Sequence, residues 1–358
     1  MIRLETFCKS ELVHLLNSDR FRLFPFLPIT DFRAQSQCRN PKATEDDVLL
    51  ILAFADHQLA GYLGILPDEI FVEGTPQKMG WFSTIYVNPQ FRGQKIAQKM
   101  MDLAFNLYDG KVVLTEFTPE AERLFSKTKA LQYGKSKLGK RYYFSFGIDE
   151  ILPQKFSFFH KIKPFLTQAN SVLDGCYALL KKKENPGLHL IEMQKEVDAE
   201  SALFLQNFPS IRNADDLNWI MKNPWVVEGN QPIKAYSFSS FAKSMDFFWV
   251  KIFSADRQLK ACAMLSLRDG HLKIPYLFTK QNLKDFTHFL NGFIQEHKVK
   301  FLTCYHDELN RCISENRFPK LFSKDFERRY FFHENFVNAI SIKENLHFQD
   351  GDGDWVFT

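Results

Sequence analysis

Between Thr84 and Tyr108 the chain reads TIYVNPQFRGQKIAQKMMDLAFNLY. An apolar run ends at Val87, a polar loop follows, and the loop opens a stretch of helical spacing. Gln90, Arg92, Gly93, Gln94 and Lys95 therefore fall where a strand end hands over to a helix start. The first N–H groups of a helix have no partner inside it, and the dipole adds positive charge, so such a turn can hold a phosphate or pyrophosphate. Gly93 frees the backbone to turn tightly. Arg92 and Lys95 oppose the dipole unless an anion lies against them; the plainer alternative is a solvated first turn. A turn that grips pyrophosphate implies a ligand built on a nucleotide.

The segment resembles the acyl-CoA signature of the GNAT N-acetyltransferase family, Q/R-x-x-G-x-G/A. Here it reads Gln90-Phe91-Arg92-Gly93-Gln94-Lys95, followed by Ile96-Ala97, with Val87 and Pro89 just before it. Lys95 stands where the family usually has a second Gly or Ala, and either crowds the pyrophosphate or binds it. The resemblance implies acetyl-CoA as co-substrate, held by Gln90, Arg92, Gly93, Gln94, Lys95, Ile96 and Ala97. It also implies that Ile85, Tyr86 and Val87 splay from the next strand and pair with the pantetheine arm. Acetyl transfer to an amine needs a positioned donor, a deprotonated acceptor, a stabilised oxyanion and a protonated leaving thiolate. The family's general-acid Tyr is replaced by Phe125 in Ala121-Glu122-Arg123-Leu124-Phe125. Tyr133 is the candidate substitute, with a packed Tyr as the alternative. Glu116, ending a strand beside the implied splay, is the candidate base, with an exposed strand-end carboxylate as the alternative.

The elements around these residues follow from periodicity. A strand at 1–7, a helix at 9–16, a hairpin of 48–55 with 59–66, strands at 78–87 and 112–116, a helix from Thr118-Pro119-Glu120 and a last strand at 141–146 make one unit, 1–148. In the helix after the turn, Ile96, Ala97, Met100, Leu103, Ala104 and Leu107 form the expected apolar face. Residues 149–187 read as a helical connector ending in Lys181-Lys182-Lys183 and Asn185-Pro186-Gly187. Residues 188–345 repeat the same order, closing on a strand at Tyr330–His333. Their turn, Phe278-Thr279-Lys280-Gln281-Asn282, has no glycine, so this half is expected not to bind acyl-CoA tightly. This order is what the resemblance requires, and the resemblance implies the fold class α/β (α+β): two tandem GNAT-like modules, each a mixed, mostly antiparallel sheet flanked by helices, the second degenerate and expected to shape the acceptor site.

The tail 346–358 contains Asp350-Gly351-Asp352-Gly353-Asp354, which resembles the opening of a calcium loop but lacks a closing acidic ligand within the sequence. A tail docked through Trp355 and Phe357 is the expectation, with no metal. The cysteines (8, 38, 176, 262, 304, 312) contain no C-x-x-C pair and read as reduced thiols of a cytoplasmic protein. The net charge of +4 is too mild to imply nucleic-acid binding, and no apolar run spans a bilayer. The expected activity is direct transfer of an acetyl group, in a ternary complex, to a small amine or amino-sugar. Two alternatives stay open: a non-catalytic binding module, and an aminoacyl-tRNA-dependent transferase that would use the basic run Lys135–Arg141.

Overall fold

Val48–Ala55, VLLILAFA, is apolar throughout, and only its first residue escapes full burial. Such a strand must be covered on both faces. In the computed structural model, which describes residues 1–72, 75–147, 157–180, 190–280, 283–315, 319–339 and 348–358, this strand lies in the first of two seven-stranded sheets. The strands are β1 (Ile2–Cys8), β2 (Val48–Ala55), β3 (Gln58–Val72), β4 (Thr75–Val87), β5 (Val112–Thr115), β6 (Leu131–Tyr133), β7 (Lys137–Tyr143), β8 (Leu190–Gln194), β9 (Val227–Glu228), β10 (Phe241–Ala242), β11 (Met245–Phe253), β12 (Leu259–Arg268), β13 (His271–Thr279), β14 (Phe301–Cys304), β15 (Phe322–Arg328) and β16 (Tyr330–His333). The helices that frame the site are α1 (Lys9–Leu16), α2 (Asp19–Arg22), α3 (Asp31–Cys38), α4 (Ile96–Leu107) and α5 (Pro119–Ser126).

The first sheet runs β1-β2-β3-β4-β5-β16-β6. Only β4 and β5 pair in parallel. The two-residue alternation of β2 divides its side chains between two cores. Ile51 and Ala53 meet α4 through Ile96, Met100 and Ala104. Leu50 and Leu52 meet α1–α3 through Leu12, Leu15, Ile29 and Ala34. The buried stripe of α4 is Ile96, Met100, Met101, Ala104 and Phe105. Leu107, expected inward, is 42% exposed, because the stripe drifts round the helix toward Met101 and Phe105. α5 starts as its sequence predicts: Thr118 Oγ1 accepts the Ala121 N–H at 3.2 Å and Pro119 fills the first turn, a cap worth about 1 kcal/mol.

The second sheet runs β15-β7-β14-β13-β12-β11-β8. Helices Lys284–Glu296 and Asp307–Glu315 pack on it through Leu290, Phe293, Leu309 and Ile313. Here too one central pair, β13 with β14, is parallel. The turn expected at 278–282 is described only as far as Lys280; Gln281 and Asn282 lie outside the described residues. So do Lys181–Lys183, the Asn185-Pro186-Gly187 stop and residues 346–347 of the tail, whereas Lys163–Leu180 is helical as the connector reading expects.

The closing strands are exchanged relative to the expectation. β7, read as the last strand of the first sheet, pairs antiparallel with β14 in the second. β16, read as the last strand of the second, lies between β5 and β6 in the first. Alternation specifies which face of a strand is buried, not which neighbour it takes. The partner is set by distant contacts. Tyr142 is fully buried with its hydroxyl on Asn310 Oδ1 at 3.0 Å, while Phe331 packs on Phe117, Phe125 and Tyr133. The compact units are accordingly discontinuous: residues 1–137, 195–245 and 328–358 form one, and 138–194 and 246–327 the other. Their limits do not coincide with boundaries at 148 and 188. Among the described residues no helix is long and apolar enough to cross a membrane.

Candidate active site

The parallel pair in the first sheet is short. Gly80, Trp81 and Phe82 pair with Val112, Val113 and Leu114, and the ladder stops there. β4 nevertheless continues to Val87, held on its other edge by β3 as far as the Gly61–Val87 pair. From Ser83 onward β4 therefore has one unpaired edge, and β4 and β5 open as a fork. A bulge sits at the crotch, because Ser83 has no partner between the Phe82–Ile65 and Thr84–Gly64 pairs. The bulge reverses the facing of the strand: Ile85 and Val87 join Phe82 on the α4 side, while Tyr86 faces the α1–α3 side.

The polar turn lies at the mouth of this fork. The Asn88 side chain accepts the Gln90 N–H at 3.1 Å, and Phe91 N–H returns to Asn88 O at 2.9 Å, which fixes Pro89–Phe91 as a single 3₁₀ turn. Arg92 Nε reaches back to Val87 O at 3.4 Å. Gly93 has φ +86° and open space where a Cβ would stand. Lys95, at φ 57° and ψ 27°, is left-handed and gives α4 no side-chain cap. Among the described residues, none accepts a hydrogen bond from the backbone N–H of Gly93, Gln94, Lys95, Ile96, Ala97 or Gln98. Gln90 to Lys95, apart from half-buried Phe91, are exposed, while Ile96 and Ala97 turn inward. The structure thus brings Ile85, Tyr86, Val87 and Gln90 to Ala97 together along one edge and its helix mouth. A pyrophosphate fits there on the chemistry of the donors: unpaired amides, a helix dipole, a glycine without a side chain in the way.

The two candidate catalytic side chains are not together. Glu116 follows β5 directly, with φ 53°. Its Oε1 accepts from Arg328 Nε at 2.7 Å, so one oxygen is committed to a buried guanidinium and the side chain braces the turn beyond the strand. Arg328 also donates to Asp350 Oδ1 at 2.6 Å and lies over the Trp355 ring at 4.2 Å. Tyr133 is on β6, separated from β5 by β16. Its ring lies 4.1 Å from Phe331, and its hydroxyl donates to Glu122 Oε1 at 2.8 Å. Phe125 is buried against Phe117 and Phe331, so the position lacking a hydroxyl is a core position.

Sequence reasoning did not find the residues that line the α3 side of the crotch. Arg33 is buried on α3, stacks over Trp225 at 4.0 Å, donates to Tyr236 Oη at 3.1 Å and donates to Ser83 Oγ. Gly64 makes room for this cluster: a Cβ there would stand 2.6 Å from Thr84 Oγ1 and 3.4 Å from Arg33 Nη2. The tail docks beside it, as Trp355 and Phe357 led one to expect. Phe357 is fully buried and stacks on Trp225 at 4.5 Å, and Trp225 N–H donates to its carbonyl at 2.9 Å. Asp352 accepts the Gln349 N–H at 2.7 Å and lies 3.8 Å from Arg212, which also pairs with buried Asp68 at 2.7 Å. Of the carboxylates read as calcium-like, Asp350 and Asp352 are thus spent on arginines and an amide of the same unit. The one signal in the sequence was the alternation of Asp with Gly beside two large aromatics, which cannot be buried without carrying their neighbours inward.

Residues 30–119 match the family described as Acetyltransferase (GNAT) domain. No curated protein matches the chain. Solved structures match in fold. A conserved protein of unknown function from Enterococcus faecalis V583, described as "Probable N-Acyltransferase", is 13% identical, with 94% of this chain covered, 73% of that one and a TM-score of 0.53. A GCN5-related N-acetyltransferase from Anabaena variabilis ATCC 29413 is 12% identical, covering 92% and 72%, with a TM-score of 0.51. One from Kribbella flavida is 11% identical, covering 95% and 73%, with a TM-score of 0.52.

Proposed function

We propose, from a chain that carries a GNAT acetyltransferase domain over residues 30–119, that the protein is an acyl-CoA-dependent N-acyltransferase acting on a small amine, with acetyl-CoA as the donor. The observation that carries this reading is the fork between β4 and β5 with unpaired amides at its mouth. The fold of the matching structures supports N-acyltransfer in general; acetyl as the group transferred is the narrower part of the proposal.

The bound donor would supply a thioester carbonyl as the electrophile. The chain's residues do the rest. N–H groups from Gly93 to Gln98 and the dipole of α4 bind the pyrophosphate, with Arg92 and Lys95 adding charge. Alternate N–H and C=O groups of Ser83–Val87 face the gap left by β5 and can take the pantetheine amides as a further strand would. Ile85 and Val87 shield the gap on the α4 side, and Tyr86 lines the opposite side. Residues 188–345 have no glycine in the sequence that follows β13, Lys280-Gln281-Asn282, and are proposed not to hold a second donor.

Calorimetry with acetyl-CoA tests the reading. Native protein should bind in the micromolar range. Gly93→Asp, which puts a carboxylate at a left-handed position in open space, should weaken binding at least tenfold by repelling the phosphates. Equal affinity in the variant refutes the site. A native protein that does not bind acetyl-CoA supports the second reading, a binding module without catalysis, which buried Phe125 favours.

A further inference from the structure

We propose that the C-terminal tail supplies the catalytic base of the first unit: the Asp354 carboxylate, set at the crotch of the β4–β5 fork on the face opposite α4, takes the proton from the acceptor amine. The inference rests on the reading of the fork as the acyl-CoA site.

The geometry begins with Gly353. A Cβ built there would lie 3.5 Å from Trp81 Cε3 and 3.6 Å from Thr115 Cγ2. Trp81 is in the middle pair of the short parallel ladder, and Thr115 is the first β5 residue beyond its last pair. The tail therefore crosses the sheet where the strands part. It does so on the face away from α4, because Phe82 and Leu114, which alternate with Trp81 and Thr115, belong to the α4 core. Asp354 is the next residue. The charges around it come from three elements: Arg33 on α3, bonded to Ser83 at the bulge; Glu116 at the end of β5; and Arg328 just before β16. These flank both arms of the fork.

Asp354 is also the tail carboxylate left over. Asp350 is held by Arg328, and Asp352 by Gln349 and Arg212. Among the described residues no side chain makes an ion pair with Asp354, and the residue is half-buried. Burial pushes its carboxyl up to about 7, with Arg33 and Arg328 opposing the rise and Glu116 adding to it. A base with this affinity is matched to an amine near neutral pH. Glu116, tied to Arg328, is in contrast a brace.

The proton and electron balance is complete. The acceptor ammonium gives one proton to Asp354, which passes it to solvent. The free nitrogen lone pair forms the C–N bond to the thioester carbonyl carbon from the Asp354 face. The C–S bond breaks with its electron pair on sulfur, and the second proton lost by nitrogen crosses Asp354 to the thiolate. The products are the amide, the thiol and one released proton.

The test uses the full chain, with water as the acceptor that needs no identification. Carboxyl ¹³C NMR of the protein without donor, with the signal assigned by its loss in Asp354→Asn, should show Asp354 titrating near 7. Slow acetyl-CoA hydrolysis should show an acid limb at the same pH. Asp354→Asn should lose about 100-fold or more of that hydrolysis and its acid limb, with acetyl-CoA affinity within threefold of native. Asp354→Glu, which keeps the carboxylate should the amide variant misfold, should retain a tenth of the rate and the limb. An Asp354→Asn protein that hydrolyses as native, or a carboxyl that titrates below 5, overturns the proposal. Failure of the fork reading is separately visible as native protein that does not bind acetyl-CoA, and it overturns both.

Discussion

Phe357→Ala is the sharpest test of whether the tail is part of the folded unit. The ring is fully buried, stacked on Trp225 with an interplanar angle of 7° and edge-on to Trp219 at 4.9 Å. A Phe side chain of this kind buries roughly 150–200 Å², which at about 25 cal/mol per Å² is about 4–5 kcal/mol. Direct large-to-small substitutions of Phe cost about 3–5 kcal/mol. The two estimates agree, and they correspond to a drop of about 100-fold or more in the docked-to-undocked ratio. The most local readout is the Trp225 amide, because its N–H donates to the Phe357 carbonyl. Its hydrogen exchange should accelerate by that factor, alongside a shift of the urea midpoint. Phe357→Leu keeps most of the apolar bulk and should cost about 1–1.5 kcal/mol, the share of the ring contacts. A loss below about 1 kcal/mol for the alanine variant, with Trp225 still protected, would refute the reasoning that ring burial pins the tail.

Two further outcomes follow from backbone strain and from burial of charge. Lys95→Gly removes a left-handed residue with a Cβ and should stabilise the protein by about 0.5–1 kcal/mol, while weakening acetyl-CoA binding about three- to fivefold at low salt through the lost ammonium; an unchanged or higher affinity would mean that Lys95 does not touch the phosphates. Burial raises the Asp352 carboxyl to about 6, against Arg212, and that of Asp354 to about 7, against Arg33. Both values exceed the ordinary carboxylate value of about 4, so within this window the folded chain holds protons that the unfolded chain has released. The contribution of these residues to stability is therefore greatest near pH 4 and declines as pH rises through 6 and 7. The difference in urea midpoint between native and Asp354→Asn protein should move in that direction between pH 4.5 and 7.5, and a difference that grows in favour of native as pH rises is incompatible with it.

What the sequence made legible was local. The turn from Asn88 to Lys95, the Thr118 cap and the apolar runs of β2 and α4 each depend on neighbours within a few residues, and each is found where its pattern predicts. The two-sheet α/β class followed from the order of such segments. The fork itself was implied only by resemblance, since no residue pattern states that β4 outlasts its ladder with β5. The crotch was illegible for a different reason. Glu116 meets Arg328 and Arg33 meets Trp225 and Tyr236, partners far along the chain that periodicity cannot pair. Glu116 and Tyr133 were chosen for chemistry and strand position. Glu116's partner Arg328 emerges only once β16 is set beside β5, while Tyr133 is taken up by Glu122 on the helix just before it.

The traded strands also fix an order of events. The first sheet cannot bind β6 until β16 is available, and β16 begins at Tyr330. A ribosome must therefore deliver the chain through His333 before the sheet that carries the fork acquires its final edge. The same threading makes the later sequence indispensable to the first sheet: deleting the chain from residue 188 onward would strip that sheet of a strand, an arginine clamp and the tail that crosses its fork.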